Sequence, residues 1–355
     1  MNHMPFSLPA LEPKRILVRS TNWIGDAIMT TPAVRSIREN FPDAHITMLA
    51  YPWVADVFRA SPHVDEIRIY DKEGRHKGLA GLRRLAAELR DQRFDCAILL
   101  QNAFKAAFLV WLAGIPIRAG YRRDGRSLFL KPGIRIRPEV RRMHQVHYYQ
   151  YLLQDLGLCC GSDELFLAHR PEDSAWARGF KDGLAGKKLV GINPGAAFGP
   201  AKCWPAERYG ELCVRLHAEY GAHAVVFGTK ADSATIDAIV AHGPDFITGL
   251  AGKTSLGQAM ALIGACDVFV TNDSGLMHVG AAVKTPLVAI FGSTDDIATG
   301  PYSPAAVVVK KELECQPCLK RECNGDFRCM LDVEVADVLR PLADMLSRAT
   351  GSTGS

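Results

Sequence analysis

The feature that most constrains this chain is an alternation of short apolar runs with helical patterns, met twice along the sequence. Arg15-Ile16-Leu17-Val18-Arg19 is short, apolar and β-branched, the composition of a strand buried on both faces. Residues 20–25 then read as a loop, and Asp26 opens a helical pattern through Ala27, Ile28, Val34 and Ile37. Further strands are predicted at 45–50, 66–70 and 95–100, with helical patterns at 53–59, 79–90 and 103–113. A helix over 144–156 closes this half. Residues 159–187, rich in Gly, Asp and charge, read as a linker. The second alternation has strands at 188–193, 222–227, 267–271 and 287–291. Its helices are predicted at 206–219, 231–240, 256–264, 276–283 and 335–346. Strand alternating with helix predicts a parallel sheet covered on both faces. The expected fold is therefore α/β, with two Rossmann-like, doubly wound domains at 14–165 and 186–347 and flexible termini at 1–13 and 348–355. Two such domains facing each other would put a cleft between the carboxyl ends of both sheets, where ligands bind in folds of this kind.

Composition agrees with two cores. A chain of 355 residues is too long for one compact core, and 48% hydrophobic with 23% charged residues excludes a disordered chain, a collagen and a coiled coil. No apolar run reaches the roughly 18–20 residues that span a bilayer. Residues 1–13 lack the apolar stretch and cleavage site of an export signal, so a cytoplasmic protein is expected. Its ten cysteines then read as thiols rather than a disulfide framework. The net charge of +4 is small, but it is unevenly placed. From Arg118 to Arg142 nine basic residues face only Asp124 and Glu139. Such a run is either a solvated surface or a landing site for an anion. It lacks the interleaved aromatics of a single-strand stacking platform, so a phosphorylated small or lipid partner ranks above nucleic acid.

Three loops carry the candidate chemistry. The first, Thr21-Asn22-Trp23-Ile24-Gly25-Asp26, puts a carboxylate at a helix start, where it either caps the helix or is held ionised to accept a proton. The second runs from Asn193 through Gly195, Ala196 and Lys202 to Pro205. It lacks the ending of a P-loop, which disfavours an NTPase, but backbone amides with Lys202 suit a diphosphate. The third, Thr271-Asn272-Asp273-Ser274-Gly275-Leu276-Met277-His278, brings small polar residues to a helix N-terminus after a buried strand, a place for phosphate oxygens. Asp273 and His278 are placed to hold sugar hydroxyls; the plain alternative for His278 is a structural histidine.

Taken together, Gly25-Asp26, the 194–205 stretch with Lys202-Cys203-Trp204-Pro205, and Asp273-Ser274-Gly275 followed by His278 resemble the bacterial ADP-heptose:lipopolysaccharide heptosyltransferases. Asn102-Ala103-Phe104-Lys105 and residues 114–122 extend the resemblance, which covers the chain from Arg15 to about Leu346. It implies a GT-B glycosyltransferase that inverts the anomeric centre and needs no metal or other cofactor. The implied donor is ADP-L-glycero-D-manno-heptose, and the implied acceptor is the first heptose of a Kdo- and lipid A-linked inner core. Transfer of the first heptose, or another transferase or epimerase of the same fold, is the alternative. Asp26 would be the general base. Lys202 and the amides at Ser274, Gly275 and Leu276 would neutralise the diphosphate, with Gly195 and Ala196 contributing backbone contacts. Asp232, in the Thr229-Lys230-Ala231-Asp232 loop, would meet the adenosine ribose, or else cap the next helix. Lys105, Arg118, Arg122 and Arg123 would bind the acceptor's acidic groups, with peripheral contact at the inner face of the inner membrane as a further partner.

Two features stand outside that scheme. Cys315, Cys318, Cys323 and Cys329 have a spacing that could hold zinc, although it is not the usual pairing of two CxxC units; reduced thiols or one adventitious disulfide are the main reading. The helix at 103–113, with Phe104, Phe108, Trp111 and Leu112, is apolar on more than one face and reads as core. A nicotinamide enzyme is disfavoured, because no Gly-x-Gly-x-x-Gly follows the first strand. A non-catalytic nucleic-acid or lipid-surface binder is the remaining alternative.

Overall fold

A computed structural model describes residues 6–351, which form two compact units dividing between Ala168 and His169. In the first, the chain runs β1 (Arg15–Arg19), α1 (Ile24–Met29), α2 (Thr31–Asn40), β2 (His45–Ala50), β3 (Glu66–Ile69), α3 (Gly78–Asp91), β4 (Cys96–Leu99), α4 (Phe104–Leu112), β5 (Ile117–Tyr121), β6 (Gly133–Ile134) and α5 (Gln145–Asp155). All six strands are parallel, in the order β3-β2-β1-β4-β5-β6. Ile16, Leu17 and Val18 of β1 are fully buried, which is why the run is continuous rather than alternating. Leu17, Leu49, Ala97 and Leu99 meet Leu85 and Leu89 of α3 and Leu109 and Val110 of α4 in one cluster.

The second unit runs α6 (Pro171–Asp182), β7 (Leu189–Asn193), α7 (Ala206–Tyr220), β8 (His223–Val226), α8 (Ser233–Val240), β9 (Ile247–Gly249), α9 (Leu256–Ala265), β10 (Val268–Asn272), α10 (Gly275–Ala282), β11 (Leu287–Ile290), α11 (Asp296–Thr299), β12 (Ala306–Val309), α12 (Arg328–Leu331) and α13 (Val335–Gly351). Its parallel sheet has the order β12-β11-β10-β7-β8-β9. Renumbered from its own first strand, this is the same order as in the first unit. In each, the chain reverses direction across the sheet between the first and fourth strands, so the crevice for a ligand opens at the carboxyl ends of β1 and β4 and of β7 and β10.

Several expectations are corrected. The supposed linker holds α6, packed on α9, so residues from 169 onward belong to the second unit. The helix expected at 53–59 is a short 3-10 turn at Ala55–Val57. Short strands β5, β6, β9 and β12 were not anticipated. Nor are the termini loose throughout: Leu8 is fully buried and its amide donates to Leu156 O at 2.8 Å, while α13 continues to Gly351. Residues 1–5 and 352–355 of the expected flexible termini lie outside the described residues. Among the described residues no helix is long and apolar enough to cross a membrane.

Candidate active site

In the first unit three loops are tied together at the β1/β4 reversal. Asn22 Oδ1 accepts from Gln101 Nε2 at 2.6 Å, and Asn22 O accepts from Trp53 Nε1 at 2.8 Å. Beneath them lies Arg19, fully buried, donating to Ser20 O at 2.8 Å and Leu49 O at 3.0 Å with its guanidinium 4.5 Å from the Tyr51 ring centre. Burial lowers its pKa. Asp26 is not the helix cap. The cap position belongs to Trp23, without a side-chain cap bond, and Asp26 is the third residue of α1, half-buried. A carboxylate in the first turn is favoured by the helix dipole. Across from it is Tyr149 of α5. Burial first, then the negative charge of Asp26, hold that phenol well above its ordinary pKa.

The basic residues of this unit divide into two groups. Arg118, expected among the acceptor-binding residues, is the second residue of β5, towards the strand's amino end. Its guanidinium donates to Phe129 O at 2.7 Å, Ile115 O at 2.5 Å and Pro116 O at 3.0 Å. Arg126, counted from sequence as part of a surface run, is fully buried; it donates to Tyr121 O at 2.9 Å, to Asn102 Oδ1 at 2.7 Å and to Gln101 O. Burial pushes its pKa down to about 10. Lys105, Arg122 and Arg123 are exposed. Arg123 lines a cavity of about 440 Å³ with Asn102, Asp124, Ile136, Arg141, Gln145 and Tyr148, just beyond the carboxyl ends of β4, β5 and β6. A hydrogen bond to Tyr148 leads the causes that raise the pKa of Arg123, keeping it charged.

In the second unit the organising residues are two asparagines that the sequence reading left unassigned. Asn193 ends β7 and Asn272 ends β10, both buried. Asn193 Nδ2 lies 2.8 Å from Ser274 Oγ, 3.0 Å from Thr271 Oγ1 and 3.2 Å from Gly195 O. Asn272 Nδ2 donates to Pro194 O at 2.6 Å, while its Oδ1 accepts from the Trp204 amide at 3.2 Å and Tyr209 OH at 2.8 Å. The available signal was an amide side chain closing each of two adjacent apolar strands. Ser274 caps α10, accepting from Met277 N at 3.4 Å, so the amides of Gly275 and Leu276 open the helix ahead of its own hydrogen-bond ladder.

Lys202 and Asp273 meet each other. They form an ion pair with side chains only 11% and 5% exposed, and Thr294 Oγ1 donates to the same carboxylate oxygen at 2.5 Å. Thr294 had no role in the sequence reading. His278, on α10, is buried. Thr229 N and Oγ1 both donate to Asp232 Oδ2 at 2.7 Å, closing a capping box on the 3-10 turn Lys230–Asp232; at the start of α8, the next helix, Asp232 holds the cap position but makes no side-chain cap bond. The loop bearing Gly195 passes tightly over that carboxylate: a Cβ at Gly195 would sit 3.0 Å from Asp232 Oδ1. Ala196 is half-buried beside it.

The cysteine segment props this loop. Gly199, at φ +148°, lies so close to Arg321 that a Cβ would be 2.5 Å from Arg321 O; Arg321 Nε donates to Phe198 O at 2.8 Å and Ala201 N donates to Arg321 O at 3.1 Å. The cysteines themselves are unpaired thiols. Cys329 is pushed up to about 11, by burial first and then by Cys323, Cys315 and Cys318 around it. Among the described residues no group of three or more His, Cys, Asp or Glu is placed to hold a metal ion.

Two doubly wound parallel sheets of identical strand order, each with loops gathered at its reversal point, are the architecture of the GT-B class of glycosyltransferases. Residues 82–327 match the model of glycosyltransferase family 9 (heptosyltransferase). The chain is 32% identical to lipopolysaccharide heptosyltransferase 2 of Salmonella typhimurium, across 94% of this chain and 99% of that one. Among solved structures, E. coli ADP-heptose lps heptosyltransferase II has a TM-score of 0.80 at 30% identity, covering 94% of this chain and 99% of the other. A glycosyltransferase family 9 protein from Veillonella parvula has a TM-score of 0.85 at 27% identity, with 94% and 98% covered. The chain belongs to glycosyltransferase family 9, the heptosyltransferases.

Proposed function

We propose that this enzyme transfers L-glycero-D-manno-heptose from ADP-heptose to the first heptose of the lipopolysaccharide inner core, with inversion at the anomeric carbon. The observation that carries the reading is the full-length likeness to heptosyltransferase 2. The second unit, from His169, holds the donor and the first unit the acceptor. Asp26, ionised in the first turn of α1, takes the proton from the acceptor hydroxyl as its oxygen attacks the anomeric carbon. The bond from that carbon to the diphosphate oxygen breaks in the same step, and ADP leaves with the electron pair. A nucleoside diphosphate leaves without protonation, so one carboxylate suffices, unlike the pair a glycosidase needs.

The charge growing on the diphosphate is met by Lys202 and by the amides of Gly275 and Leu276 at the start of α10. Lys202 is held by Asp273, whose carboxylate also accepts from Thr294, and on donor binding it shares its ammonium protons with phosphate oxygens. These donors do the electrostatic work that a divalent ion does in other transferases, and the reaction is metal-independent on this reading. His278 and Asp273 stand by the heptose, and Thr229 and Asp232 by the adenosine ribose. On the acceptor side, Lys105, Arg122 and Arg123, with Arg141 in the cavity wall, meet its carboxylates and phosphates. Arg118, committed to three carbonyls, is withdrawn from that set.

The test is a coupled ADP-release assay with ADP-heptose and a one-heptose core acceptor. Wild type should turn over, and Asp26→Asn should lose roughly 10²–10⁴-fold in kcat with ADP affinity retained. Near-normal turnover by that variant would remove Asp26 as the base, and no release by wild type would overturn the substrate assignment.

A further inference from the structure

Helix α4 is only half core. It buries Ala106, Ala107, Leu109 and Val110, but Phe104 and Trp111 on its other side are each 46% exposed. Beside it the 3-10 turn Arg126–Phe129 lifts Leu128 into solvent, 89% exposed. The rings of Phe104, Phe108, Trp111 and Phe129 form a single cluster with neighbouring centres between 5.3 and 6.1 Å apart. Scattered apolar side chains on a surface need no explanation, whereas a contiguous group of large ones marks a contact surface.

Its surroundings identify the contact. Residues 103–135 hold seven Lys or Arg and one acid, Asp124. Arg118 and Arg126 turn inward to carbonyls, which leaves Lys105, Arg122, Arg123, Lys131 and Arg135 exposed. Asp124 lies 3.7 Å from Arg123 and offsets part of that one charge. The loop carrying these arginines touches the aromatic cluster: a Cβ at Gly125 would be 3.9 Å from Phe104 Cδ2. Bulky apolar tips amid cations match the two layers of an anionic bilayer surface, with acyl chains taking the rings and head groups the ammonium and guanidinium groups. A second copy of the chain is a poorer match, since a self-complementary contact would bring like charges together.

We propose that the outer side of α4 and the turn at residues 126–129 dock the first unit on an anionic lipid bilayer. This rests on the acceptor reading above, in which the acceptor is itself lipid-borne; the docking surface presents the enzyme to the membrane that holds it.

The experiment is co-sedimentation of the purified full chain with phosphatidylcholine vesicles, with and without phosphatidylglycerol. Wild type should sediment with the anionic vesicles, be released by added salt, and stay in solution with the neutral ones. Leu128→Asp and Trp111→Ser should each lower the partition coefficient by about tenfold. Leu128 is almost wholly exposed, so its replacement leaves the fold intact. Both variants should turn over a soluble, deacylated acceptor at the wild-type rate. The proposal is overturned if wild type fails to bind anionic vesicles, if it binds neutral ones equally, or if Leu128→Asp binds like wild type. It is also overturned if gel filtration shows a wild-type dimer that Leu128→Asp dissociates. Turnover without vesicle binding removes the docking surface alone, and vesicle binding without turnover removes the acceptor reading.

Discussion

Lys202 shows how much a single residue's meaning depends on its partner. Its type and its place in a Gly- and Pro-rich loop pointed to phosphate, and Asp273 was assigned separately to hydroxyls; in the folded protein the two neutralise each other. Asp273 therefore sets the position of the ammonium group that the diphosphate would meet. Lys202→Ala should raise the donor KM by roughly 10–100-fold, the loss expected for a hydrogen bond to a charged group. The acceptor KM should hold, and EDTA should leave wild-type turnover unchanged. Loss of turnover in EDTA, restored by magnesium, would refute the electrostatic assignment. Asn193 and Asn272 escaped notice because an asparagine at a strand end has many ordinary roles. Only their hydrogen bonds to Pro194, Gly195, Trp204 and Ser274 reveal a pair of clamps.

At the scale of elements, β5 separates two kinds of arginine that look alike in sequence. Arg118 near its start closes three carbonyls, while Arg123 just past its end faces a cavity. Arg118→Ala strands those carbonyls and should cost about 1–3 kcal/mol, read as a lower Tm with acceptor KM unchanged. Arg123→Ala should do the reverse: Tm within error of wild type, and acceptor KM raised by about tenfold for one lost charge-assisted bond. If both variants move the same observable, the division is wrong. Strong elements such as β1, β7 and α7 were legible because apolar runs and 3.6-residue periodicity are local signals. The short strands β6 and β9, of two and three residues, carry too little pattern to read; pairing with β5 and β8 defines them. Helix α6 was hidden by polar composition, since only Asp173 and Ala177 of its twelve residues are buried.

At the scale of the whole molecule, each unit has its own sheet and its own apolar cluster. In the second unit Val190, Ile192, Val268, Val270, Val288 and Ile290 pack with Leu212, Val338 and Leu342, from elements lying entirely after His169. A fragment starting at residue 169 should therefore fold cooperatively and bind ADP with the affinity of the full chain, measurable by calorimetry. A fragment that starts at 186, at the expected domain edge, lacks α6 and should be markedly less stable because α9 loses its partner. Equal stability of the two would contradict this boundary. Sequence by itself determined the α/β class, the two alternations, the family and the loops at Asp26, Lys202 and Ser274, because these depend on periodicity and on contiguous motifs. The tertiary structure alone decided that Asp26 is inside its helix, that Arg126 is core and Arg123 surface, and that Asp232 bonds back to Thr229 while Lys202 is paired. Those outcomes depend on burial and on partners distant in sequence, such as Asp273 for Lys202 and the carbonyls of Gln101 and Tyr121 for Arg126, and one-dimensional pattern carries no record of which distant groups a fold brings within hydrogen-bonding reach.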